Sequence, residues 1–414
     1  MWDALVVGAG IIGLSTAYHI KRLNPHHRVL VVDMLGGPGR GNTARSVGMF
    51  RDFFHSRTNR LLAGSSVKFY MDVSKQAGLD LRMNGYLWIL SPEEYRGIRG
   101  YLRGYEYRMY DGDELERLIG LNTSGNPKLG LPEVECGMLI PKAGSIDVKA
   151  LVAYYYNQFL RMGGEARFGV KVRRLLLEAR EAKGLPGEPH LWQDARVSGV
   201  ETDVGLIRAK KTVVAVGGWA PVLMDRLGVE CHVKAKKRQV FIVGARHGVL
   251  NRLVRAGGFL MEGYPPMFIL PKFRVYVRPH PEKRLFFVGC SDHLGRPFMV
   301  EDKPRPEEEF YEYGIKPVLT HYLPSFSEAP VVGSWAGLYA ICTLDHQPVV
   351  FEEADMIFVG GASGSGIIKA DAVGRVAASL YSGLEEAELY DGRTMRVSDL
   401  GLRNRRVERE VFVI

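Results

Sequence analysis

An α/β fold, in which a parallel sheet wound with helices is joined to an α+β lobe built on an antiparallel sheet, is predicted by three features of the 414-residue sequence. First, an apolar strand over Leu5–Val7 runs into Gly8-Ala9-Gly10-Ile11-Ile12-Gly13 and a helical stretch through Ile20, and a second strand over Val29–Val32 ends at Asp33. Second, Met356–Val359 runs into Gly360-Gly361-Ala362-Ser363-Gly364-Ser365-Gly366 and a helix over Ala370–Tyr381. Third, short runs at Val240–Val243, Phe268–Leu270, Val275–Arg278 and Leu285–Val288, punctuated by prolines, read as antiparallel strands.

The first unit is a dinucleotide site by its chemistry. Gly8 permits a tight turn, Gly10 lets backbone N–H groups approach a pyrophosphate, and Gly13 lets the helix lie close against the strand. The helix N-terminus adds its positive dipole end. Asp33 stands roughly 20 residues past the last glycine, where an acid hydrogen-bonds an adenosine ribose and disfavours a 2′-phosphate. These residues do not choose between FAD and NAD.

Composition narrows the class. The chain is 46% hydrophobic, enough for two lobes, and it has no apolar run long enough to span a bilayer. With its first strand at the N-terminus and no room for a charged leader, a cytoplasmic protein is expected, peripheral membrane association staying open. Cys136, Cys231, Cys290 and Cys342 form no C-x-x-C pair, so neither a metal site nor a redox disulfide is expected. The net charge of +9 raises nucleic acid as a partner, but the cluster Arg403–Arg409 is interleaved with Glu408 and Glu410 like a solvated face, and no nucleic acid is expected. Sparse Asn and Gln with abundant Arg fit a thermophile.

Along the chain, Gly36–Gly48 is a polar glycine and hydroxyl loop suited to phosphate or carbonyl oxygens, and Asn59–Gln76 is an amphipathic helix. A strand over Gly85–Leu90 and a helix at Asp111–Ile119 belong to an inserted lobe. Gly144-Ser145-Ile146-Asp147 offers capping residues to a helix over Val148–Met162, which Gly163-Gly164 stops. A strand with Val170 and Val172 precedes a hairpin excursion over Ala179–Asp194. Lys211–Val216 ends in Gly217-Gly218-Trp219, a second junction where backbone can approach a cofactor. Glu307–Tyr322 is helical in pattern. The last glycine turn is a carbonyl or anion cradle and not a hydrolase elbow, since Ser365 stands where G-x-S-x-G needs glycine.

Gly8–Gly13, Gly41–Ser46, Gly144–Asp147, Val213–Ala220, Trp335–Asp345 with Pro348, and Gly361–Gly374 stand in an order that resembles the flavin-dependent family of D-amino-acid oxidase, glycine oxidase and sarcosine oxidase. The stretch Thr43–Arg51 is most similar to the branch of dye-linked L-proline dehydrogenases. The resemblance implies a Rossmann-type FAD-binding domain over 1–80, 145–225 and 331–385, a substrate-binding domain over 81–144 and 226–330, and a C-terminal tail over 386–414. It implies FAD contacts from Gly8, Gly10, Ile11, Ile12, Gly13, Asp33, Met34, Asn42, Thr43, Ala44, Arg45, Ser46, Val172, Gly217, Gly218, Trp219, Gly337, Gly364, Gly366, Ile367 and Ile368. The cysteine that binds flavin covalently in relatives falls on Leu338, so FAD is expected to be non-covalent unless Cys342 substitutes. The lysine that serves oxygen use falls near Phe287, which favours a dye, quinone or protein acceptor. The substrate-binding lysine falls on Ile368, one place before Lys369.

Flavin-dependent amine oxidation needs a neutral amine, a C–H held against flavin N5 for hydride transfer, and a fixed carboxylate. A guanidinium suits the carboxylate, each charge-assisted bond contributing about 1.5 to 3 kcal/mol. Arg51 is the first candidate and Arg278, on Tyr276-Val277-Arg278, the second; Tyr276 and Trp335 are candidate walls of an apolar pocket. His55 and His346 read as surface or core histidines. The expected activity is oxidation of an amino acid or secondary amine, best matched by L-proline to pyrroline-5-carboxylate. Sarcosine, glycine or D-amino-acid oxidation with oxygen is the alternative; a tRNA-modification flavin domain or a non-catalytic subunit of a complex are readings of another class. The apolar end Val411–Ile414 is expected to dock on the body or cover a pocket.

Overall fold

The computed structural model describes residues 1–412 except 247, 293 and 404, so Val413 and Ile414, part of the expected docking end, lie outside the described residues. Its first sheet is parallel at the centre: Trp2–Val7 pairs with Val29–Asp33 on one side and Gly205–Val214 on the other, and Glu165–Phe168 and Met356–Gly360 extend it outward. Val172–Ala179 and Ala195–Thr202 add an antiparallel hairpin whose connection is the expected excursion. The central strands are buried on both faces, as their continuous Val, Leu and Ile content requires.

Helix Ile11–Leu23 lies against Gly366–Tyr381, and Arg57–Ala77 and Val148–Arg161 complete that layer. The two central helices approach closely because Gly374 faces Ser15, whose Oγ would lie 2.3 Å from any added Cβ. Between them Asp371 is buried and paired with His19 at 2.8 Å and Arg375 at 2.7 Å. The expected cap forms, Asp147 Oδ1 accepting from the N–H groups of Lys149 and Ala150, and Ser56, not expected as a cap, caps a helix that begins at Arg57, two residues before its periodicity starts.

The second sheet has the order Val331–Cys342, Val233–Gly244, Leu285–Gly289, Tyr276–His280, Met267–Ile269, Tyr86–Leu90, Cys136–Ile140, Arg108–Tyr110, with all neighbours antiparallel except Met267–Ile269 and Tyr86–Leu90. Strand alternation divides its residues: Leu87, Ile89, Val275 and Val277 feed the core behind it, while Tyr86, Trp88 and Tyr276 face the other way. A small sheet of Met49–Arg51, Ala143–Ile146 and Leu81–Arg82 joins the two lobes.

Three expectations are corrected. Val331–Cys342, expected in the FAD-binding unit, pairs along its length with Val233–Gly244 in the second sheet. Residues 386–400 are not a tail: Glu386–Glu388 and Thr394–Arg396 form a hairpin that buries Ala387, Leu389 and Met395 in the first core. Helix Glu307–Tyr322 starts later and contains a π-helical turn, Phe310–Ile315, before regular α-helix over Lys316–Tyr322.

Candidate active site

A cavity of about 500 Å³ is lined by residues of both sheets, from Gly8, Gly10 and Asp33 at one end to Arg238, Glu410 and Phe412 at the other. At the first end the glycines act by close approach. Gly8 has φ +108°, and a Cβ there would lie 2.5 Å from the Ala215 carbonyl oxygen; one on Gly13 would lie 2.0 Å from the Gly8 carbonyl oxygen. Gly13 accordingly sits behind the cavity and sets the strand-to-helix packing, outside the lining. Asp33 is held by backbone, its two oxygens accepting from Ala9 N–H at 2.7 Å and Leu35 N–H at 2.8 Å, and burial raises its pKa. Thr43 Oγ1 accepts from Ile11 N–H at 3.1 Å, which ties the polar loop to the helix N-terminus.

The remaining expected cofactor residues converge on the same space. Ile11, Ile12, Met34, Asn42, Thr43, Arg45, Ser46, Val172, Gly217, Gly218, Trp219, Gly337, Gly364, Gly366, Ile367 and Ile368 all line it. Ala44 does not; its N–H instead bonds the Gly39 carbonyl and shapes the loop. Asn42 Oδ1 accepts from Leu338 N–H at 2.9 Å, fastening the loop to the second sheet. Helix Gly366–Tyr381 presents its first turn to the cavity, where backbone N–H groups lack intrahelical acceptors.

At the far end Arg51 and Tyr276 line the cavity, and Arg278 and Trp335 do not. Arg278 sits one strand repeat beyond Tyr276, donates to the Val47 carbonyl, and is buried enough that its pKa falls to about 10. Trp335 donates from Nε1 to the Arg45 carbonyl at 2.7 Å and stands edge-on to Phe287, so it braces the polar loop. Arg51 is 4% exposed, with Nη1 donating to the Phe53 carbonyl at 2.5 Å and Nη2 to the Phe412 carbonyl.

Several lining residues escaped the sequence reading. Arg238 is buried; Nη1 donates to the main-chain carbonyls of Lys237 and Asp292 and lies 3.3 Å from the Asp292 carboxylate, while Nε and Nη2 have no partner among the described residues. It belongs to the basic run Lys234–Arg238, where strand alternation sets it, with Lys236, on the face opposite Lys237. Tyr86, Met267 and Tyr339 add walls, and Glu410 and Phe412 close the end. His346 also lines the cavity; its Nδ1 lies 3.2 Å from the Glu410 carbonyl oxygen, which assigns the proton to Nδ1, and burial lowers its pKa. Lys369 is buried, donates from Nζ to Ser365 Oγ at 2.6 Å, lies over the Phe54 ring, and has its pKa brought down to about 7 by burial. Cys342 is fully buried, outside the lining, with its thiol pKa raised by burial.

The residues present fit FAD. The glycine turns leave backbone open to a pyrophosphate, Asp33 stands at the end of the second strand, and a second helix N-terminus meets the same cavity. A dinucleotide cradle opening into an arginine-bearing, aromatic-walled chamber defines a cofactor-dependent oxidoreductase. The chain belongs to the DAO family of FAD-dependent oxidoreductases, whose model matches residues 3–380. It is 24% identical over 418 residues to the bovine (Bos taurus) FAD-dependent oxidoreductase domain-containing protein 1, covering 91% of this chain and 80% of that one. It is 23% identical over 271 residues to the sarcosine oxidase subunit beta of Rhodobacter capsulatus, covering 64% of this chain and 60% of the relative. Among solved structures, L-proline dehydrogenase from P. horikoshii superposes with a TM-score of 0.73 at 21% identity, over 92% of this chain and 93% of the other. NikD, an amino acid oxidase of nikkomycin biosynthesis, gives a TM-score of 0.73 at 17% identity over 99% and 98%.

Proposed function

We propose that this oxidoreductase dehydrogenates a small amino acid or secondary amine, with L-proline going to pyrroline-5-carboxylate as the best match, and passes the electrons to a dye- or quinone-type acceptor. The observation that carries the reading is the joining of the dinucleotide cradle and two buried arginines, Arg51 and Arg238, in one cavity. The glycine turns, Asp33 and the Asn42–Ser46 loop would hold FAD, which when bound supplies the hydride acceptor. With Leu338 where relatives carry the flavin-binding cysteine and Cys342 outside the lining with its thiol pKa raised by burial, the cofactor is held non-covalently.

Arg51 and Arg238 supply the positive charge that fixes a carboxylate, and Tyr86, Met267, Tyr276 and Phe412 exclude water around an apolar substrate body. His346 keeps its proton on Nδ1 for the Glu410 carbonyl and presents Nε2 as an acceptor. Phe287 at the position where relatives carry the oxygen-serving lysine supports the dehydrogenase over the oxidase. The likeness in fold to L-proline dehydrogenase supports the substrate class.

The test is an anaerobic screen of the FAD-loaded protein that follows flavin bleaching with L-proline, sarcosine, glycine and D-amino acids. Bleaching by L-proline, followed by dye reduction and little peroxide in air, is the expected result. Bleaching by none of these amines overturns the reading, and rapid peroxide formation overturns its acceptor. Acid precipitation that leaves the flavin in the protein pellet overturns non-covalent binding.

A further inference from the structure

Residues 405–412 run across the far wall of the cavity as a latched strap. Arg405 forms a buried pair with Asp345, Nε and Nη2 each 2.8 Å from a carboxylate oxygen. Glu410 accepts five hydrogen bonds, from the N–H groups of His55, Ser56 and Phe412, the Ser56 hydroxyl and the Asn59 amide. Beyond that latch, Val411 and Phe412 belong to no helix or strand. The Val411 carbonyl accepts from Arg274 at 2.5 Å, and the Phe412 ring stacks on Phe53 with centroids 4.9 Å apart.

The Phe412 carbonyl accepts from Arg51 Nη2, and the Phe53 carbonyl from Arg51 Nη1. A carboxylate gripped by a guanidinium fork uses two such nitrogens at once. Both are occupied here by main-chain oxygens. Phe53 lies in the core junction that leads into helix Arg57–Ala77, fully buried, and cannot yield without disturbing it. Both carbonyls lie outside helix and strand, but that of Phe53 is tied on both sides, to strand Met49–Arg51 and helix Arg57–Ala77, whereas no helix or strand follows Leu400 among the described residues that lead to Phe412.

We propose that Phe412 is a positioning residue of the substrate site: its carbonyl holds Arg51 as a built-in competitor, and an incoming substrate carboxylate takes Arg51 by displacing residues 411 and 412. Glu410 and Arg405 keep the rest of the strap in place. This rests on the amino-acid reading above, and it adds a specific rearrangement to it.

The experiment uses FAD-loaded protein with benzoate and acetate as carboxylate probes, so that no turnover is involved. Affinity is read from the perturbed flavin absorbance and strap mobility from hydrogen exchange at 405–412. Saturating benzoate should speed exchange of the Phe412 amide at least tenfold while the His55 and Ser56 amides, held by Glu410, keep their protection. Phe412→Ala should bind benzoate about tenfold more tightly. Arg274→Gln, which removes the guanidinium that holds the Val411 carbonyl and lies over the Trp88 ring but changes no cavity-lining side chain, should tighten it severalfold. The proposal is overturned if benzoate binds with Phe412 exchange unchanged or slowed, or if both variants bind it no better than the parent. A benzoate-dependent strap in a protein that oxidises no amine would sink the functional reading and leave the strap; turnover of an amino acid with a motionless strap would do the reverse.

Discussion

Replacing Glu410 by Gln tests how the far wall of the cavity is held. The carboxylate is 2% exposed and takes five donors. Burial alone would raise its pKa, yet the donors from Ser56, His55, Asn59 and Phe412 bring it down from 4.5 to about 2. Because the folded pKa lies below the unfolded one, the stabilisation is present in full above the unfolded pKa and is lost as pH falls through the folded one. That difference corresponds to about 3 kcal/mol at pH 7, of which roughly half is gone at pH 3. A neutral amide accepts fewer bonds and turns an NH₂ toward a backbone N–H, so Glu410→Gln should forfeit most of this amount. The strap can detach without unfolding the core, so the loss belongs to local opening. Native-state hydrogen exchange at the His55, Ser56 and Phe412 amides should show protection reduced by about a hundredfold at pH 7. The gap between variant and parent should narrow toward pH 3. Protection within twofold of the parent at pH 7, or a gap that widens on acidification, would refute the assignment of Glu410 as the latch.

Two further outcomes follow from the same physics. Gly13→Ala places a methyl 2.0 Å from the Gly8 carbonyl oxygen, so the first helix must move off its strand; the purified protein should carry a sharply lower FAD-to-protein absorbance ratio, and a ratio equal to the parent would contradict the close-packing argument. Lys369 has its folded pKa at about 7 against 10.5 unfolded, so it opposes folding in full below pH 7 and progressively less as pH rises toward 10.5. Lys369→Met should raise the unfolding free energy most at pH 6, by on the order of 4 kcal/mol at most, read as a rise in Tm that shrinks by pH 9.5; a gain that grows with pH would reverse the sign.

The cofactor end was legible in the sequence because its work is done by backbone. Gly8, Gly10, Gly13 and Asp33 stand at spacings dictated by one strand, one turn and one helix, and local geometry is what a sequence pattern records. Only part of the second sheet was legible: the runs at Gly85–Leu90, Val240–Val243, Phe268–Leu270, Val275–Arg278 and Leu285–Val288 fall on its strands, while Cys136–Ile140, Arg108–Tyr110 and Val331–Cys342 gave no strand pattern, the last being placed by its long pairing with Val233–Gly244. Arg278 and Arg51 look alike as strand-borne arginines, and the difference between them is a partner carbonyl far along the chain, Val47 for one and Phe412 for the other. Phe412 was legible only as part of an apolar end expected to dock or cover a pocket, and it does line the cavity, whereas Glu410 carried no signal. The alternation of Arg and Glu around Arg403–Arg409 fits a solvated face, and nothing local announces that the next residue is a buried carboxylate placed against the start of a helix 350 residues earlier, with Glu410 to Ser56 separated by 354 positions.

The two ends of the cavity therefore respond to substitution in different ways. At the cradle the contacts are to glycine backbone, so a new side chain acts by steric exclusion and changes how much cofactor is retained. At the far end buried Arg51 faces Lys369, whose pKa burial brings down to about 7, and buried Arg238 is paired with Asp292 at 3.3 Å, while Glu410 spends its oxygens on His55, Ser56, Asn59 and Phe412 and not on the arginines. Arg238 keeps two nitrogens, Nε and Nη2, unpartnered among the described residues, in a site where a missing acceptor costs about 1–3 kcal/mol. An anion entering that space recovers part of this cost on binding, whereas a neutral ligand of the same shape recovers none. Under the proposed amino-acid reading, a substrate carboxylate would gain most from Arg238 and the carbonyl-held Arg51, and the aromatic wall of Tyr86, Tyr276 and Phe412 would set how large a body accompanies it.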